Sequence, residues 1–227
     1  MRSSQKLTPR LVVITGAASG IGRATALAFA RGAAELFVCD LPSESLSGLE
    51  AELLAAGARR VHVAAVDVGS RAQMADFCEL VCRTGTPDVL VNNAGVGLAG
   101  GLLATSLDDW QWILNANLWG VVHGCHFFAP RMAARGRGQI VNIASAAGYY
   151  NSEAMTAYGT TKFAVIGLSE GFAPSSHPWA WVCRWCARVS STRRSSPACA
   201  CAARRIRRAS GPTCSGSTRS AIIRRSA

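Results

Sequence analysis

The tightest constraint on the fold is an apolar strand, a glycine-rich turn and a helix in immediate succession. Leu11-Val12-Val13-Ile14 is followed by Thr15-Gly16-Ala17-Ala18-Ser19-Gly20-Ile21-Gly22 and then by a helical pattern from Arg23 to Arg31. Such a unit places backbone N–H groups and a helix N-terminus where a pyrophosphate can sit, and the glycines permit the turn and the close approach. For this motif alone, a glycine-rich turn of purely structural use is the alternative. Glu35-Leu36-Phe37-Val38-Cys39-Asp40 reads as a second strand. It ends in an acid about 20 residues after the glycines, where a carboxylate can accept hydrogen bonds from an adenosine ribose. The same carboxylate repels a 2′-phosphate, so NAD is favoured over NADP. Neither Ser19, before Gly20, nor Leu41, after Asp40, is basic, and Arg23 is expected to cap its helix or face solvent.

The alternation continues with a helix from about Ser43 to Ala56, a strand Arg60 to Ala65 followed by Asp67-Val68, a helix Arg71 to Arg83 and a strand Asp88 to Val91. Strands alternating with helices of this length build right-handed βαβ units. The spacing therefore predicts an α/β fold, a doubly wound parallel sheet of Rossmann-like type with helices on both faces. The 227 residues suffice for one domain with a sizeable core. Asp67 falls where a side chain can hydrogen-bond an adenine, or where it simply caps a loop. No stretch is long and apolar enough to span a membrane, and Met1 to Arg10 lacks the apolar core of a secretory signal. A cytoplasmic protein with no membrane partner is expected.

Ile140-Val141-Asn142-Ile143 reads as the fifth strand, with Ser145 just beyond its C-terminal end, where such sheets bind ligands. Tyr158 and Lys162 are four apart, so a helix presents them on one face. A phenol ordinarily titrates near pH ~10; an ammonium about 4 Å away, at an effective dielectric of about 20, contributes roughly 4 kcal/mol towards its phenolate, the size needed for a proton carrier near neutrality. Ser145 would offer a neutral donor to the same substrate oxygen. Taken alone, a Tyr-x-x-x-Lys pair is common on helix surfaces. Asp108 to Arg135 reads as one long helix with Asn117 in its middle. An amide there is mildly unfavourable unless it has a task or points to water, and Asn115 is its rival. His123 and His126 lie three apart on the same helix, but no third ligand falls at a fitting spacing, so no metal is expected.

Thr15-Gly-x-x-x-Gly-Ile-Gly22, Asp67-Val68, Asn92-Asn93-Ala94-Gly95, Asn117, Ser145 and Tyr158-x-x-x-Lys162 stand in an order and spacing that resembles the short-chain dehydrogenases/reductases. The resemblance covers residues from about 10 to 171. It implies hydride transfer between a nicotinamide cofactor and a secondary alcohol or ketone, with strand order three-two-one-four-five. It makes Tyr158 the acid/base, Lys162 its activator and ribose ligand, Ser145 the substrate-oxygen donor and Asn117 the anchor of a relay water. Gly16, Ser19, Gly20, Ile21, Gly22, Asp40, Asp67, Val68, Asn93, Ala94 and Gly95, with Tyr158 and Lys162, would hold the cofactor. Val96 to Thr105, with three glycines and no charge, resembles the loop beside the substrate and would form an apolar rim. An epimerase or dehydratase shares the Ser, Tyr and Lys, but the short chain and the Asn117 element disfavour it. Full-length relatives would be homo-oligomers.

The resemblance stops near Gly171. The chain carries 24 basic and 13 acidic residues; all the acids precede Phe172, and 11 arginines follow it. The globular part is thus neutral. Beyond it the sequence becomes rich in Arg, Ser, Ala and Cys without hydrophobic period. Reading each codon's last base with the next codon's first two turns Pro178 to Arg193 into a largely apolar stretch. That stretch has two forced glycines and one forced valine, and it permits a Pro-Gly turn. We therefore read 1–171 as the dinucleotide-binding domain and 172–227 as a frame-shifted tail, disordered or misfolded, which leaves the sheet incomplete at its C-terminal edge, with no properly formed sixth or seventh strand. An intact reading frame across the Gly171 and Phe172 codons would overturn this. A frame-shifted tail would bind polyanions without preference, so no specific nucleic acid is expected. Two alternatives are a true basic extension that binds nucleic acid or membrane through its arginines and would discriminate a target, and a zinc site from Cys183, Cys186, Cys199, Cys201 and Cys214, whose spacing matches no familiar finger. A chain so altered could also be an inactive nucleotide-binding fragment, and its tail removes the basis for expecting an oligomer.

Overall fold

The computed structural model describes residues 10–172 and 184–186. Its strands are β1 Leu11–Thr15, β2 Glu35–Asp40, β3 Arg60–Ala65, β4 Val89–Asn92, β5 Gln139–Ile143 and β6 Arg184–Cys186. They form one sheet in the order β3-β2-β1-β4-β5-β6, with every neighbouring pair parallel. The helices are α1 Gly20–Ala30, α2 Glu44–Ser47, α3 Leu49–Ala55, α4 Arg71–Thr84, α5 Leu107–Leu114, α6 Gly120–Arg135 and α7 Thr156–Phe172.

Alternate residues of each strand point to opposite faces, and the core divides accordingly. Val13, Phe37, Leu90 and Ile140 pack with Met74 and Phe77 of α4, Phe128 and Met132 of α6 and Val165 of α7. Val12, Ile14, Leu36, Val38, Val89 and Val91 pack with Ala26 and Ala30 of α1 and Leu49 and Leu53 of α3. Full burial of each large apolar side chain contributes roughly 1.5–3 kcal/mol, which is why these central strands are almost continuously hydrophobic. The fold is therefore the doubly wound, Rossmann-like sheet expected.

Three boundaries differ from expectation. The helix from Ser43 to Ala56 is two pieces that meet at Gly48. The long helix from Asp108 to Arg135 starts at Leu107 with a capping box between Ser106 and Asp109, and it is interrupted by a π-helical turn, Asn115–Trp119. Such turns widen the hydrogen-bonded ring and recur at functional sites. Finally, β6 supplies a short sixth strand where no properly formed one was expected. Val141, Asn142 and Ile143 align with Arg184, Trp185 and Cys186. The outer edge of β5 offers unpaired backbone donors and acceptors, and an extended segment can satisfy them whatever its side chains. It fills only three residues of that edge. The seventh strand, the frame-shift, the cysteine-rich stretch and the arginine tail otherwise lie outside the described residues.

Candidate active site

In an open parallel sheet, ligands bind beyond the carboxyl ends of the strands where the strand order reverses, here between β1 and β4. A cleft of about 610 Å³ lies there, lined by residues that follow the ends of β1 to β5, among them Gly16, Asp40, Asp67, Asn93 and Ser145.

The turn after β1 is held open by close packing. Gly16 has φ +65°, and a Cβ on it would fall 2.6 Å from Ala94 Cα. One on Gly22 would fall 2.0 Å from the Gly16 carbonyl oxygen. Asn93 fastens this contact: its Nδ2 donates to the carbonyls of Thr15 at 3.0 Å and Gly16 at 2.9 Å. Thr15 Oγ1 returns the tie by accepting from the N–H groups of Asn93 and Ala94, each at 3.1 Å. Gly20, at the start of α1, meets nothing within 4 Å and faces open space. The Ser19 side chain makes no capping bond to the helix. The tight inner face and vacant outer face suit a diphosphate, so these residues fit a dinucleotide.

At the end of β2, Asp40 Oδ2 accepts from Ala18 N–H at 2.8 Å and Oδ1 from Leu41 N–H at 2.8 Å. These bonds fix the carboxylate on the cleft wall with acceptor capacity to spare. Arg23 points away from it: Nε donates to Glu52 Oε2 at 2.8 Å, and its Nη2 pairs with Oε1. Asp67 is exposed at the rim, and its Oδ1 accepts from Gly69 N–H at 2.8 Å. Next to it, the Val68 carbonyl lies 2.9 Å from His123 Nδ1, and the His123 ring stacks on Trp119. His123 thus braces the backbone of Val68, which lines the cleft.

At the other end of the cleft, Ser145, Tyr158 and Lys162 line the same space. Ser145 caps a short 3₁₀ turn, its Oγ accepting from Ala147 N–H at 3.2 Å. Lys162 is only 5% exposed. Its Nζ donates to the Ile143 carbonyl at 3.1 Å and sits 5.7 Å from the Tyr158 ring centroid. Burial pushes this amine down to about 8 from its ordinary 10.5. Between those values the unfolded chain holds a proton that the folded chain has released, so stability rises with pH across the window, by on the order of 3 kcal/mol. Denaturant midpoints at pH 7.5 and 10 should therefore rise more steeply for the native protein than for Lys162→Met; identical pH dependences would contradict the burial.

Two expected residues are not on the cleft wall. Gly22 lies beneath it. Asn117 is fully buried behind it, in the π turn. Asn117 Oδ1 accepts from Val96 N–H at 2.7 Å, and Nδ2 donates to the Val96 carbonyl at 2.9 Å and to Thr161 Oγ1 at 3.2 Å. The side-chain amide expected to hold a relay water is thus engaged with protein atoms. Gly95 lies between Asn117 and Lys162. Thr161, Asn151, Tyr150 and Met155 also belong to this end and were not singled out from the sequence; Thr161, beside Lys162 in the motif, carried the one available signal.

Fold and cleft together define an α/β protein of Rossmann-like type in which Ser145, Tyr158 and Lys162 line the cleft together with the glycine turn. A profile of the family described as short chain dehydrogenase matches residues 10–183, and the chain belongs to that family. It is 41% identical over 162 residues to the probable oxidoreductase EphD of Mycobacterium tuberculosis, covering 70% of this chain and 27% of that one. It is 37% identical over 171 residues to the 3-oxoacyl-[acyl-carrier-protein] reductase FabG of Thermotoga maritima, covering 74% and 68%. Among solved structures, a short-chain dehydrogenase/reductase from Burkholderia phymatum in complex with NAD matches with a TM-score of 0.69 and 38% identity, covering 71% of this chain and 58% of that one. The chain thus spans about a quarter of the length of EphD. No helix among the described residues is long and apolar enough to cross a membrane.

Proposed function

We propose that this chain transfers a hydride between a nicotinamide cofactor and a secondary alcohol or ketone. The observation that carries this reading is the convergence of Ser145, Tyr158 and Lys162 on the cleft that also holds the glycine turn and Asp40. The nicotinamide, when bound, supplies the hydride acceptor or donor. Tyr158 exchanges the hydroxyl proton of the substrate, and Ser145 hydrogen-bonds the same oxygen. Lys162, still largely protonated at pH 7 given its value of about 8, favours the phenolate and reaches the ribose. Asn117 acts as a positioning residue that locks Val96 and Thr161 around this group. The test is net formation of reduced nicotinamide from NAD and a secondary alcohol. Turnover with no net change in NADH would favour the epimerase or dehydratase reading instead, and NAD binding without any turnover would favour an inactive fragment made by the altered tail.

NAD is the cofactor this reading selects. Asp40 stands at the ribose end with its carboxylate held by two N–H groups, while Arg23 is committed to Glu52. A 2′-phosphate would bring about two further negative charges against Asp40. NAD is expected to bind at least about tenfold tighter than NADP, roughly 1.4 kcal/mol, and Asp40→Ala should shrink the gap. Equal dissociation constants for the native protein would show that Asp40 does not meet the ribose. Cys39, Cys78 and Cys82, none of them in a disulfide, support a reducing, cytoplasmic location. The neutral body of residues 1–171 supports a small-molecule substrate over a nucleic acid.

A further inference from the structure

Resting on the hydride-transfer reading, we infer that the substrate is an uncharged, predominantly apolar alcohol or ketone, admitted through a mouth whose two sides are tied together at Gly100 and Met155. The first side is the loop after β4, which begins at Asn93. The second runs from Tyr149 to Met155, just before α7. Gly100 N–H donates to the Ala154 carbonyl at 2.7 Å and Thr156 N–H to the Gly100 carbonyl at 3.3 Å, a parallel bridge between Gly100 and Met155. Each loop is also braced from within, by Thr105 Oγ1 on the Gly101 carbonyl at 2.9 Å and by Asn151 Nδ2 on the Thr156 carbonyl at 3.2 Å. The mouth is therefore a built aperture that joins the two loops.

Among the described residues its lining is predominantly apolar. Val96, Tyr150 and Met155 line the cleft here, with Ala146 and Ala147 behind them. The loops also leave large apolar groups open to water, Leu103 wholly and Tyr150 at 85%. Among the described residues lining the cleft, Lys162 carries the one positive side chain, and it is buried beside Tyr158, donating to the Ile143 carbonyl. It stands at the reacting oxygen, too deep to neutralise a remote anionic group. The acid nearest the mouth, Glu153, packs its backbone and Cγ against Gly101 and would repel an anion. Asn151, an amide on the wall, is turned to its own loop: Oδ1 accepts from Ser152 N–H at 2.9 Å while Nδ2 donates to the Thr156 carbonyl at 3.2 Å. An anionic group would lose its hydration here without meeting an accessible cation among the described residues.

Two ketones that differ only in charge test this. Acetophenone and 4-acetylbenzoate present the same reacting carbon, and their binding to the full chain with NADH present can be measured separately from their reduction. Acetophenone should bind at least about tenfold tighter, and Met155→Lys should narrow that ratio at least about threefold by placing a cation at the mouth. Equal or tighter binding of 4-acetylbenzoate, or binding of neither ketone, overturns the inference, as does a ratio that Met155→Lys leaves unchanged. A neutral preference without reduction of either ketone keeps the mouth's preference for uncharged ligands and removes the hydride-transfer reading instead.

Discussion

Replacing Tyr158 by Phe is expected to lower turnover by about 10³-fold, within the range of 10²–10⁴ that a positioned acid or base contributes. A factor of 10³ corresponds to roughly 4 kcal/mol of barrier. The substitution removes one oxygen and keeps the ring, so the packing of α7 and the contact with Lys162, whose Nζ lies 5.7 Å from the ring centroid, are preserved. The NAD dissociation constant should change by less than about threefold, because the glycine turn, Asp40 and Lys162 are untouched. Stopped-assay turnover and a calorimetric NAD titration on the same preparation separate the two effects. A Tyr158→Phe protein that retains turnover would remove the proton-transfer role; one that loses NAD affinity in parallel would show that the hydroxyl serves binding rather than chemistry.

Most of what positions this chemistry is legible in the sequence because it depends on local pattern. The order of strands and helices follows from apolar runs separated by helical periods, and β1 to β5 fall within a residue or so of the expected ranges. The glycine turn, Asp40, Ser145, Tyr158 and Lys162 stand out because their chemistry fixes residue type and spacing together. What was not legible depends on backbone geometry or on partners distant in sequence. The π turn at Asn115–Trp119 changes the hydrogen-bond ring from i+4 to i+5 without altering the apolar pattern that marks a helix. The bridge between Gly100 and Met155 is made by main-chain groups, so no side chain announces it. Asn117 was noticed as an amide inside a helix, but its partners Val96 and Thr161 lie 21 and 44 residues away. The burial of Lys162, which lowers its affinity for a proton, likewise comes from packing of α7 against β5. The strand β6 lies within the Pro178 to Arg193 stretch whose alternative frame reads as largely apolar, so the edge of β5 is met at the place where an in-frame strand would stand.

The second large effect is expected at Gly22, where the fold and the cofactor site share one contact. Adding a single methyl by Gly22→Ala puts a carbon 2.0 Å from the Gly16 carbonyl oxygen, 2.4 Å from Asn93 Nδ2 and 2.8 Å from the Gly16 carbonyl carbon. Two of these three atoms are backbone, so rotation of a side chain cannot relieve the overlap. Either α1 moves off the turn, or the turn moves and strips Asn93 of its bonds to the Thr15 and Gly16 carbonyls. Overpacking of a tight site costs about 1–3 kcal/mol, and each neutral hydrogen bond lost adds about 1 kcal/mol. A destabilisation of about 2–4 kcal/mol is expected by denaturant titration, with NAD affinity lowered at least about tenfold because the diphosphate seat is displaced. The pairing with Asn93→Ala sharpens the test. Removing the amide clears only the 2.4 Å contact and gives up its two bonds, so Gly22→Ala combined with Asn93→Ala should be at least as destabilised as Gly22→Ala alone. Recovery of native stability in the double variant would place the conflict in the Asn93 side chain rather than in the backbone of the turn.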